Sequence, residues 1–226
     1  MKNAAKTTVI FVGLLAPSAL GTTLLGPTPY QSFADSPFRG VAFQSFGLED
    51  FEDGLLNTPG VASTTGTVNN PNIDTDSVDG DDGLFDGRGS SGHSWYSNNL
   101  FSVVTFTFSP VGGELPTHAG VVWTDVGFVS QGSNGFANVF LEAFGPTGNS
   151  LGTTTPSLLG DGNVQGGTGE DRFLGVIDLG GISRIEIHTE TSLDWEVDHV
   201  QFGVVPAPTG LALAAVAGAF VNRRRR

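Results

Sequence analysis

Leu100-Phe101-Ser102-Val103-Val104-Thr105-Phe106-Thr107-Phe108 is the stretch on which the fold turns. Val104, Phe106 and Phe108 alternate with Val103, Thr105 and Thr107, so an extended chain gathers three large apolar side chains on one face. That is the pattern of a half-buried β-strand. On either side of it, short apolar stretches at residues 40–46, 50–55, 60–68, 119–128, 136–144, 172–179, 182–189 and 195–202 are separated by turn-forming residues. Gly or Pro interrupts every apolar run with helical promise, which removes the crossover helices that a parallel βαβ fold requires. The expectation is an all-β chain, an antiparallel two-sheet β-sandwich over residues 35–203.

Charge is divided unevenly along the sequence. Lys2, Lys6, Arg223, Arg224, Arg225 and Arg226 lie at the ends, leaving Arg39, Arg88, Arg172 and Arg184 against 23 acidic residues between Asp35 and Asp198. A middle this acidic repels phosphate backbones, so nucleic acid is excluded as a partner. The same field attracts divalent cations. The absence of cysteine excludes disulfides, thiolate metal sites and cysteine nucleophiles.

The ends read as addresses. A basic start at residues 1–6, an apolar stretch at residues 7–25 and small residues around Ala16 and Ala19 have the order of a secretory signal peptide. Cleavage fits after Ala16-Pro17-Ser18 or after Ser32-Phe33-Ala34, and residues 1–34 are assigned to the signal and its linker. At the other end, Val205-Pro206-Ala207-Pro208-Thr209 precedes an apolar run at residues 210–221 and then Asn222-Arg223-Arg224-Arg225-Arg226. The prolines end a strand and admit a helix, whose Arg cluster stays on the cytoplasmic side. A helix of that length rises only about 18 Å, short for a bilayer core. This order resembles the PEP-CTERM sorting tail over residues 204–226, with Ala207 where that family usually carries Glu. The resemblance implies a transient membrane anchor, recognition by an exosortase-like processing enzyme, and delivery to the cell surface or its exopolysaccharide matrix.

The middle is also similar to a group of PEP-CTERM ectodomains. The strings that carry the similarity are Phe51-Glu52-Asp53-Gly54, Asp76-Ser77-Val78-Asp79-Gly80-Asp81-Asp82-Gly83, Leu115-Pro116-Thr117-His118-Ala119-Gly120-Val121-Val122-Trp123-Thr124-Asp125, Asp171-Arg172-Phe173-Leu174-Gly175-Val176 and Glu196-Val197-Asp198-His199-Val200-Gln201-Phe202-Gly203. What it implies is a sandwich of jelly-roll type, akin to galactose-binding-like or concanavalin-like modules.

Candidate chemistry centres on the long polar segment at residues 69–99, since a loop of that length in a compact domain is a natural place for a site. Glu52, Asp53, Asp79, Asp81, Asp82 and Asp198 offer the hard oxygen ligands that calcium prefers. An EF-hand is excluded, because Gly80 falls one position late and Phe85 stands where the closing Glu belongs. Glu196 and Asp198 share one strand face, as the carboxylates of a concanavalin-like glycoside hydrolase do. Gln201 then stands where a second acid would protonate the leaving group, so no catalytic set is complete. Trp95 and Tyr96, at the edge of the long segment, are candidate platforms for sugar rings, while Trp123 reads as core. His93, His118, His188 and His199 show no metal-ligand spacing, and no nucleophile elbow, P-loop or dinucleotide fingerprint is present. The leading expectation is a non-enzymatic surface module with calcium or glycan as ligand. A carbohydrate-active enzyme using Glu196 and Asp198, or a purely structural matrix component, are the alternatives.

Overall fold

The computed structural model describes residues 21–72, 75–80, 92–126, 135–163 and 169–206. The leader at residues 1–20, the candidate ligands Asp81 and Asp82, and the tail residues Ala207, Pro208 and Arg223 to Arg226 lie outside the described residues. Thirteen strands follow one another: β1 (Thr23–Pro29), β2 (Ser45–Glu49), β3 (Val61–Ala62), β4 (Thr67–Asn69), β5 (Ser94–Tyr96), β6 (Val103–Phe108), β7 (His118–Val126), β8 (Ala137–Phe144), β9 (Ser150–Thr153), β10 (Ser157–Leu159), β11 (Arg172–Ile177), β12 (Arg184–Glu190) and β13 (Trp195–Val204). Helix among the described residues is confined to single turns at Phe33–Asp35 and Val78–Gly80. None is long and apolar enough to cross a membrane.

The strands form two antiparallel sheets. One has seven strands, in the order β1-β11-β7-β13-β5-β4 with β2 also on β13; the other has six, in the order β10-β8-β12-β6-β3 with β9 on β8. In the six-stranded sheet the sequence alternation is realised: Val104, Phe106 and Phe108 turn inward with Val139, Leu141, Ile185 and Ile187, while Thr105, Glu142, Glu186 and His188 turn out. Trp123, Trp195 and Leu174 meet them from the opposite sheet. Removing one such ring, Phe106 for example, would cost about 3–5 kcal/mol through lost transfer energy and the cavity left behind.

The seven-stranded sheet is buried on both faces. Every residue of β7 and of β13 is buried, because a second apolar cluster of Tyr30, Phe38, Val78, Val122 and Phe173 covers the outer face. Close approach makes this layer possible: Gly120 and Gly175 pair across β7 and β11, and the Phe173 ring lies over both, where any Cβ would collide with it. β1 completes the sheet against β11, from Thr23↔Ile177 to Pro29↔Arg172.

Several expectations need correction. The sandwich does not start at Asp35, since β1 belongs to the sheet and Tyr30 to its covering layer. Residues 50–55 form a turn: Asp50 and Asp53 accept from the Glu52 and Leu55 amides, and Phe51 adopts a left-handed φ of 58°. Residues 60–68 are two short strands split at a turn where the Ser63 hydroxyl caps Thr65. Residues 69–99 contain β5, which pairs with both β13 and β4.

Candidate functional site

The two carboxylates singled out on β13 share one face, and that face is covered. Glu196 accepts from Asn69 Nδ2 at 2.7 Å, from the Asp76 amide at 2.9 Å and from the Ser94 hydroxyl. Asp198 accepts from the His199 amide at 2.6 Å and the Val78 amide at 2.9 Å, with the Ser77 hydroxyl 3.2 Å away. Both side chains thereby tie residues 75–80 down onto the sheet. Burial pushes Glu196 up to about 7 and Asp198 up to about 8, the hydrogen bonds only partly opposing it.

A bulge between Asp198 and Gln201 puts His199 in the left-handed region, at φ 46°, and turns its ring into the same covered layer. His199 Nε2 lies 2.9 Å from Asp79 Oδ2, and Nδ1 lies 3.0 Å from the Tyr30 hydroxyl. Gln201 Nε2 donates to that hydroxyl oxygen at 3.0 Å, and its own carbonyl accepts from Ser36 Oγ at 2.5 Å. This order assigns the protons: Gln201 fills the Tyr30 oxygen, Tyr30 donates to Nδ1, and the His199 proton sits on Nε2 facing Asp79. Burial pulls the His199 proton affinity down, but Asp198, Asp79 and Asp50 together raise it above the ordinary value. Gln201 is thus a link in a buried chain that fastens the residues around Tyr30 and Ser36.

Of the proposed calcium ligands, the fold brings Glu52, Asp79 and Asp198 around the Ser77 and Val78 segment. Glu52 Oε1 is occupied by the His93 amide at 2.5 Å and by Ser77 Oγ at 3.2 Å. Asp53 turns away, accepting from the Leu55 amide and from Asn57 Nδ2 in an exposed turn. Trp95 is 6% exposed and packs between Phe51 and Phe106, with its indole N–H donated to the Thr65 carbonyl. It is a core residue. Tyr96 is half-buried on the same strand, with burial and Asp194 raising its hydroxyl above the ordinary range.

The open surface lies elsewhere, on the outer face of the six-stranded sheet. β8 contributes Asn138, Phe140, Glu142 and Phe144, and β12 contributes Arg184, Glu186, His188 and Glu190. Cross-strand register sets them in rows: Phe144 beside Arg184, Glu142 beside Glu186, Phe140 beside His188, Asn138 beside Glu190. The Arg184 guanidinium lies 3.5 Å over the Phe144 ring and its Nε donates to Glu186 at 2.8 Å. The Phe140 and His188 rings stack at 4.4 Å and 9°. Beside that stack a groove of about 180 Å³ is lined by Ser102, His188, Glu190, Thr191 and Ser192. Sequence spacing missed this face, because its cross-strand neighbours meet through register and lie at least 40 positions apart along the chain. The usable signal was the polar phase of the two alternating strands.

No family model matches the sequence, and no curated protein does. Among solved structures, one similar to this chain is the N-terminal CBM22-1-CBM22-2 tandem domain of Paenibacillus barcinonensis Xyn10C, at 16% identity and a TM-score of 0.39 over 70% of this chain. The match spans 49% of that tandem domain, about half its length. Another is the CBM22-1 xylan-binding domain of the same Xyn10C, at 14% identity and a TM-score of 0.35, covering 71% of this chain and 94% of that one.

Proposed function

We propose that this chain is an exported, non-enzymatic surface module of jelly-roll type that binds extracellular polysaccharide across the outer face of its six-stranded sheet. The observation that carries the reading is the groove in which the stacked Phe140 and His188 rings adjoin Ser102, Glu190 and Thr191. A sugar ring offers an apolar C–H face and a rim of hydroxyls, so an aromatic surface beside hydroxyl and carboxylate groups suits it. The signal-like leader and the Pro-Ala-Pro tail support export, with an exosortase-like enzyme and a transient membrane anchor as partners in delivery. A non-enzymatic role is supported by Glu196 and Asp198, since a glycosidase carboxylate must touch its substrate and these two are buried against protein donors.

Affinity electrophoresis of the full chain through soluble polysaccharides tests the binding. Retardation by at least one polymer is expected, with Phe140→Ala weakening it about tenfold, the equivalent of about 1.4 kcal/mol. Free migration in every polymer would favour the purely structural matrix component.

A further inference from the structure

Glu142 and Glu186 stand directly opposite one another on β8 and β12. Like charges in that arrangement destabilise a sheet unless a cation stands between them. Arg184 answers only part of the pair, through Glu186 Oε1 at 2.8 Å, and Ser150 Oγ donates to Glu142 Oε1 at 2.7 Å. Each carboxylate is therefore fixed by one oxygen, and the other oxygen takes no hydrogen bond among the described residues. His188 occupies the next outward position on β12, its ring held flat against Phe140. Its Nε2 is shielded from solvent with no hydrogen-bond partner, and lies 3.7 Å from Glu186 Oε2, too long for a hydrogen bond. One ligand atom from each of the three residues lies within 4.8 Å of the others.

We propose that Glu142, Glu186 and His188 form a zinc site on the outer face of the six-stranded sheet. Two ligands of a tetrahedral zinc, each about 2.1 Å from the ion, are about 3.4 Å apart, so the set must contract by at most about 1.4 Å. One imidazole nitrogen with two carboxylates suits zinc better than calcium, which takes six to eight oxygens. Ser150, Arg184 and Phe140 supply the outer contacts that fix ligand orientation. All three ligands are partly buried, and a zinc held by them would take its fourth ligand from water.

A second three-residue set among the described residues, Asp79, Asp198 and His199, has no such free ligand atoms. Both His199 nitrogens and both Asp198 oxygens already face protein partners.

Because zinc is tested alone, the outcome is independent of polysaccharide binding. Calorimetric titration of the full chain with zinc is expected to show one ion bound per chain. His188→Ala and Glu186→Gln should abolish binding, Ser150→Ala should weaken it about tenfold, and Asp79→Asn should leave it unchanged. Imidazole nitrogen-15 spectra of the unsubstituted chain give a readout that does not depend on a variant folding, and one histidine should shift on adding zinc. Absence of heat, absence of any imidazole shift, binding that survives His188→Ala, or binding lost in Asp79→Asn would each overturn the proposal.

Discussion

Asp198 shows how far a residue's role departs from its first reading. Its place on one strand face with Glu196 was legible, since period-two alternation requires it. Its burial was not, because the covering residues 75–80 come from a polar segment with no apolar pattern to announce that it packs. The same blindness affected Trp95: one aromatic in a polar run reads as surface, yet it fills the core beside Phe51 and Phe106. Asp198→Ala removes the acceptor of two buried amides, those of Val78 and His199. A loss of at least about 2 kcal/mol is expected from the two orphaned donors. Urea denaturation measures it, and limited proteolysis should show faster cutting within residues 69–99. A stability change under about 0.5 kcal/mol would mean that Asp198 does not anchor that segment.

At the level of elements, β6, β7, β8, β11, β12 and β13 were readable because their apolar residues alternate or run continuously. β1, β5, β9 and β10 were not. β1 (Thr23–Pro29) lies at the end of the apolar leader, and its Gly, Thr and Pro content conceals a strand whose order comes from pairing with β11. This bears on processing. A chain cut after Ala34 loses β1 and Tyr30, leaves the β11 edge open and breaks the Tyr30, Gln201 and His199 chain. Such a chain should be less stable than one beginning at Gly21 by more than about 3 kcal/mol, the scale of one buried aromatic and its contacts. Comparison of urea midpoints decides it. Equal midpoints would show that β1 contributes little to the sheet.

For the molecule as a whole, an acidic chain has buried several of its carboxylates. Glu196, Asp198 and Glu170 are pushed by burial up to about 7, about 8 and about 10. Groups whose folded values exceed their unfolded ones bind protons on folding, so their contribution is complete below the unfolded values and lost as pH rises through the folded ones. His199 is raised too and acts in the same direction. His118 and His188 are lowered by burial and oppose this only below the ordinary histidine value of 6.5. The melting temperature should therefore fall from pH 6.5 to about 10, each buried carboxylate steepening the slope by up to about 1.4 kcal/mol per pH unit within its own window. Asp198→Asn, which keeps the neutral form, should flatten the fall. Melts that stay level or rise over that range would contradict the assignment.

The order of apolar and turn residues was enough to define a two-sheet antiparallel chain, because side-chain alternation is local and each strand carries its own record. Which side chains meet was a different matter. Glu142 reaches Glu186 and His188 through β8 and β12 register, and Glu196 and Asp198 disappear beneath residues that follow β4. Contacts of that kind depend on long-range pairing and loop closure, which no local pattern encodes, so the tertiary structure moved the open polar surface from the last strand to the far sheet.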